Sequence, residues 1–178
     1  MSYYFLVIVR IILAPFILIY PAPAILLSLF LDIVDADFAH KIISRIKYQI
    51  YDKLIDSWVL FFELILSHLL WPQYNIMMTL LFVWRMIGLS IFLNTKKRKI
   101  LLVFGNYFEN IFFLLFFGTF IEPLNFLIEN DLYFYLSLIT VIVFKMLQEW
   151  FIHIADLSIR ENVFGSKRSW KSDRIDRS

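Results

Sequence analysis

The chain of 178 residues contains no cysteine. Disulfides, thiolate metal sites and a cysteine nucleophile are therefore excluded, although the absence says nothing about redox compartment. Charge is also scarce, at 18% of residues, where soluble domains carry about a quarter. The net charge of +2 is too balanced over the whole chain to suggest a nucleic-acid partner. No internal repeat and no low-complexity run is visible. What is present is apolar: 61% of residues are hydrophobic and 19% aromatic, with a mean hydropathy of +0.74. Such a composition expects a lipid bilayer as the main solvent.

A bilayer core needs roughly 20 predominantly apolar residues per helix. Read with that window, the sequence predicts six transmembrane helices near 4–20, 23–40, 49–71, 75–95, 100–121 and 132–155. Turn signals separate alternate pairs, at Tyr20-Pro21-Ala22-Pro23, Trp71-Pro72-Gln73-Tyr74-Asn75 and Glu122-Pro123-Leu124-Asn125. The second connection holds Lys41, Arg45 and Lys47, the fourth holds Lys96, Lys97, Arg98 and Lys99, and the tail holds Arg160, Lys167, Arg168, Lys171, Arg174 and Arg177. The remaining connections have no Lys or Arg. The positive-inside rule then places both termini in the cytoplasm of an all-α integral membrane protein, in the cell membrane. A signal-peptide reading of the first span is disfavoured, because Arg10 and Pro15 interrupt its apolar stretch.

Asp32 and Asp35 stand three apart near the end of the second span, and Asp52 and Asp56 stand four apart at the start of the third. Both spacings put the pair on one helix face. The short connection between the spans brings the two pairs together. Carboxylates within a span cost roughly 2.5–3.5 kcal/mol each at the helix centre and less near the end, and crowded ones repel. They are also hard oxygen ligands, so a divalent ion such as Mg2+ or Mn2+ between the helices would neutralise them and clamp a substrate's phosphates. The alternative is that these acids lie among lipid headgroups and pair with Lys41, Arg45, Lys47 and Lys53. Asp37, off the Asp32–Asp35 face, suits that alternative best.

The run Asp32-Ile33-Val34-Asp35-Ala36-Asp37-Phe38-Ala39-His40, followed by Asp52-Lys53-Leu54-Ile55-Asp56, resembles the signature of the CDP-alcohol phosphatidyltransferases, D-x-x-D-G-x-x-A-R-x8-G-x3-D-x3-D. Val9-Arg10-Ile11-Ile12-Leu13-Ala14-Pro15-Phe16 is similar to that family's first-span opening. The sequence departs from the pattern at Ala36 and His40, which stand for a glycine and an arginine, and at Tyr48 or Gln49, where a second glycine belongs. Asp35 to Asp52 is 17 residues (52 − 35), one short of the family's 18. The resemblance implies transfer of a substituted phosphate from a CDP-linked lipid donor, usually CDP-diacylglycerol, to a small alcohol with release of CMP. It implies that Asp32, Asp35 and Asp52 hold one or two metals, with Asp56 completing the site or acting as general base. Ala36, Ala39 and His40 fall at nucleotide-site positions, and a homodimer is implied.

Counting about 1.5 Å per residue from the cytoplasmic ends, Arg85, Glu109 and Lys145 fall at a similar depth, with Glu63 deeper. They suggest either a pocket in which Arg85 and Lys145 receive an acceptor's anionic group, or a layer of ion pairs such as Arg85–Glu63 or Arg85–Glu109. Glu149, His153 and Asp156 share a helical face, but an i,i+4 Lys145–Glu149 pair explains them more simply. The Ile111-Phe112-Phe113-Leu114-Leu115-Phe116-Phe117 run reads as lipid-facing or packing surface. The expectation is therefore a six-helix transmembrane catalytic domain over 1–160 with a basic cytoplasmic tail over 161–178, acting in phospholipid biosynthesis at the cytoplasmic face. The competing expectations are a non-catalytic membrane protein that kept the fold and lost the nucleotide site, and a small transporter. The latter is disfavoured because the acids gather at one interface.

Overall fold

A computed structural model describes residues 3–97 and 99–153. Among the described residues every regular element is helical. They divide into two compact units, one ending at Leu70 and the other beginning at Trp71.

The first unit comprises α1 (Tyr3–Leu13), a 3-10 segment (Ala14–Leu18), α2 (Pro21–Ala39) and α3 (Arg45–Leu70). Pro15 ends α1, because its ring nitrogen has no hydrogen to give the carbonyl four residues back. That carbonyl belongs to Ile11, and the indole Nε1 of Trp58 on α3 donates to it at 3.1 Å. A long-range side chain thus satisfies the acceptor that proline leaves over. Pro21 and Pro23 cause no such break, since α2 starts at Pro21 and a first-turn N–H has no intrahelical partner to lose. A turn over 40–44 then reverses the chain into α3, its first bonds running from His40 N to the Ala36 carbonyl and from Ile43 N to the Ala39 carbonyl.

The second unit comprises a 3-10 turn (Pro72–Tyr74), α4 (Asn75–Thr95), α5 (Lys99–Val103), α6 (Tyr107–Phe120), a 3-10 turn (Glu122–Leu124), α7 (Phe126–Glu129) and α8 (Asp131–His153). Lys96 closes α4 in the left-handed conformation, with φ of 57°. Asn106 caps α6: its Oδ1 accepts from Glu109 N at 3.4 Å, and its Nδ2 donates to Glu109 Oε2 at 2.6 Å. The Phe-rich run proves to be packing surface on one side, with Ile111, Phe112, Leu115 and Phe116 buried. Phe108, Phe112 and Phe116 stack at one-turn intervals along it.

The six-span bundle is corrected by this structure. Each predicted apolar stretch does form helix, but among the described residues three helical stretches are long and apolar enough to cross a membrane: Pro72–Thr95, Ile100–Phe120 and Asp131–Trp150. The apolar helical stretch Tyr3–Leu18 is too short for a roughly 30 Å hydrocarbon core. α2 carries Asp32, Asp35 and Asp37, and α3 carries Asp52, Lys53, Asp56 and Glu63. Averaged hydropathy hid these charges, each of which is expensive in hydrocarbon. The placing of both termini in the cytoplasm rested on six crossings and falls with them.

Candidate metal centre

The site is built wholly within the first unit. α2 presents Asp32 and Asp35 on one face, one turn apart, and α3 presents Asp52 and Asp56 in the same way. One ligand oxygen from each of Asp32, Asp35 and Asp52 lies within 4.8 Å of the others. Asp35 and Asp52 are buried, whereas the Asp32 side chain is 46% exposed and gives the cluster an open side.

Between these carboxylates lies Arg10 of α1, whose side chain is 2% exposed. Its Nη1 pairs with Asp35 and reaches Asp52 Oδ1 at 3.8 Å, while its Nη2 donates to Asp32 Oδ1 at 2.7 Å and to Asp56 Oδ1 at 2.9 Å. Lys53 spans Asp52 Oδ2 at 2.6 Å and Asp56 Oδ2 at 2.8 Å. The Tyr48 hydroxyl donates to Asp35 Oδ1 at 2.7 Å and lies 3.4 Å from Asp52 Oδ1. A hydroxyl has one proton, so the shorter contact takes it.

Burial raises the Asp35 carboxyl to about 6; Asp52 adds to the rise, and Arg10 and the Tyr48 hydrogen bond oppose it. Asp52 is raised as well, by burial and then by Asp56. In both, burial is the larger cause and a neighbouring aspartate adds to it. Among the six charged side chains named here, four negative charges face two positive ones, and 4 − 2 leaves two negative charges. That is the charge of one divalent cation.

On α1, beside the cluster, Arg10 Nε and the hydroxyl of Tyr3 are buried without a hydrogen-bond partner among the described residues. Tyr3 is close enough to the cluster that, after burial, the charges of Asp35 and Asp52 hold its hydroxyl protonated. Hard oxygen donors and excess negative charge together fit Mg2+ or Mn2+. The acidic triad can coordinate a divalent metal.

No protein-family profile, curated protein or solved structure matches this chain. The site must therefore be judged on its own residues. Of the positions that the resemblance implies for a nucleotide, Ala36 is buried, and Ala39 is enclosed with Tyr3 and Ile43 in an apolar cluster against which Tyr48 packs. His40 follows the end of α2. Arg85 and Lys145 belong to the second unit. Arg85 Nη1 donates to the Phe104 carbonyl at 2.9 Å. Lys145 Nζ meets Glu149 Oε1 at 3.1 Å, the expected i,i+4 pair, and Gln148 Oε1 at 3.2 Å. Asp156 and the side chain of His153 lie outside the described residues, as does the tail beyond them.

Sequence reasoning missed Arg10 and Tyr48 as members of the site. Arg10 was noted as an interruption in an apolar stretch, and that oddity was itself the available signal, since a lone charge there needs a partner. Tyr48, which with Gln49 stands near the place where the resembled signature has a glycine, sets its hydroxyl between Asp35 of α2 and Asp52 of α3.

Proposed function

We propose that this chain is a membrane-associated, metal-dependent transferase of the CDP-alcohol phosphatidyltransferase kind, moving a substituted phosphate from a CDP-linked lipid donor to an alcohol with release of CMP. The observation that carries this reading is the convergence of Asp32, Asp35 and Asp52, aspartates that stand in a run resembling the family signature. Mg2+ or Mn2+ bound to these three carboxylates would offset charge on the donor's diphosphate and on the departing CMP.

Asp56 stands outside the triad, oriented by Lys53 and Arg10, and is the carboxylate assigned to take the acceptor hydroxyl's proton. The acceptor oxygen attacks the lipid-side phosphorus, the bond from that phosphorus to the CMP oxygen breaks, and the hydroxyl proton passes to Asp56. Lys53 holds Asp52 and Asp56 in fixed relation, so ligand and base keep their places together. The open side at Asp32 is the route for a phosphate to reach the cluster. The three long apolar helices supply the membrane attachment that a diacylglycerol-linked donor requires.

The test is purified protein with CDP-diacylglycerol, a panel of small alcohols, and Mg2+, Mn2+ or chelator, followed by CMP release. Release that needs both metal and alcohol supports the reading. No CMP with any alcohol in either metal removes it. A second reading, a non-catalytic membrane protein, is favoured by one observation: Arg10 already pairs with all four aspartates. On that reading the purified protein binds no Mn2+.

A further inference from the structure

We propose that Arg10 is an internal counter-cation which a divalent metal must displace, so that the carboxylate site alternates between an arginine-locked and a metal-loaded form. This rests on the metal reading above and adds to it a defined competitor. The guanidinium bonds Asp32 and Asp35 directly and faces Asp52 at 3.8 Å, and these are the three metal-binding side chains. The guanidinium sits among the three carboxylates and takes one oxygen each of Asp32 and Asp35, so a metal that binds between them through those oxygens requires Arg10 to move.

Arg10 has somewhere to go. Asp56, which is not among the three ligands, already accepts from Nη2 at 2.9 Å and can keep that bond as the others break. Tyr3 lies seven positions earlier on α1, so it shares a face with Arg10. Its buried hydroxyl lacks a hydrogen-bond partner among the described residues, and so does Arg10 Nε. An unused acceptor and an unused donor on one helix face make an alternative seat for the guanidinium, between Asp56 and Tyr3. The locked form leaves both unsatisfied, which limits how strongly Arg10 can hold the triad. The charge count points the same way: with Arg10 and Lys53 both present, the four aspartates remain two charges short of neutral, so the metal is still attracted.

A competing form lowers apparent affinity in proportion to its population. If the locked form holds nine-tenths of the molecules, its removal tightens metal binding about tenfold. The experiment measures free Mn2+ by electron paramagnetic resonance during titration of the full chain in detergent, for wild type, Arg10→Gln and Arg10→Lys, with thermal unfolding alongside. Arg10→Gln should bind Mn2+ about tenfold more tightly than wild type, and its metal-free form should unfold at lower temperature and recover with Mn2+. Arg10→Lys, which keeps the charge but bridges fewer carboxylates, should fall between the two, and it carries the test alone if Arg10→Gln does not fold. Variants that bind Mn2+ no more tightly than a binding wild type overturn the lock while leaving the metal site standing. Wild type and variants that all fail to bind Mn2+ overturn the metal reading itself, and the lock with it.

Discussion

Arg10 of α1 and Asp35 of α2 form an ion pair in which the two side chains are only 2% and 1% exposed. Two charges so far from water are held only where further polar bonds support them. Here Asp35 has the Tyr48 hydroxyl and Arg10 has Asp32 and Asp56. The pair therefore joins three helices and two aspartate pairs in one network.

Asp35→Asn should uncouple metal binding from folding. Loss of a buried partner commonly costs about 3–5 kcal/mol, but Arg10 keeps Asp32 at 2.7 Å and Asp56 at 2.9 Å, so the cost should be smaller. Mn2+ affinity should fall by at least about tenfold, since even changes behind a ligand cost that much. Denaturant unfolding and Mn2+ titration on one preparation check both parts.

Divalent metal should stabilise the wild-type protein. A ligand at a hundred times its Kd adds about 2.7 kcal/mol to a folded state that alone binds it. Thermal unfolding in rising Mn2+ should show an upward shift that chelator reverses and that Asp35→Asn abolishes. An identical curve with and without metal would contradict the site.

Trp58→Phe should weaken the first unit by about 1 kcal/mol, the usual net worth of a hydrogen bond. The bond lost is the one to the Ile11 carbonyl, left over because Pro15 has no N–H. Pro15→Ala restores a backbone donor for that carbonyl, so the Trp58→Phe penalty should shrink in the Pro15→Ala background. A double-mutant cycle by denaturant unfolding reads the difference.

Gly88→Ala should destabilise the second unit despite alanine's better helix propensity. Propensity favours alanine by about 1 kcal/mol. Against that, the new Cβ would lie 2.1 Å from Phe104 Cβ, an atom fixed to the main chain that cannot swing aside. Overpacking of that kind costs about 1–3 kcal/mol, and Phe104 also supplies the carbonyl that Arg85 binds. A lower unfolding temperature is expected, with Mn2+ binding at the first unit unchanged.

The sequence alone determined the helical segments and the faces of the aspartate pairs, because turn chemistry and helical spacing are local properties. Pro21 opens α2, Pro72 and Pro123 lie in the 3-10 turns that separate longer helices, and Asp32–Asp35 and Asp52–Asp56 do share faces. The number of membrane crossings was misread because a hydropathy window averages apolar residues with the few charges that decide whether a helix can enter lipid. Which charges meet was decided by tertiary structure. Arg10 finds Asp35 twenty-five residues away and Asp56 forty-six away, and no periodicity in the chain encodes contacts at those separations. They arise from the packing of α1 against α2 and of α3 against the 3-10 segment after α1, which carries the buried Arg10 to the aspartates of α2 and α3.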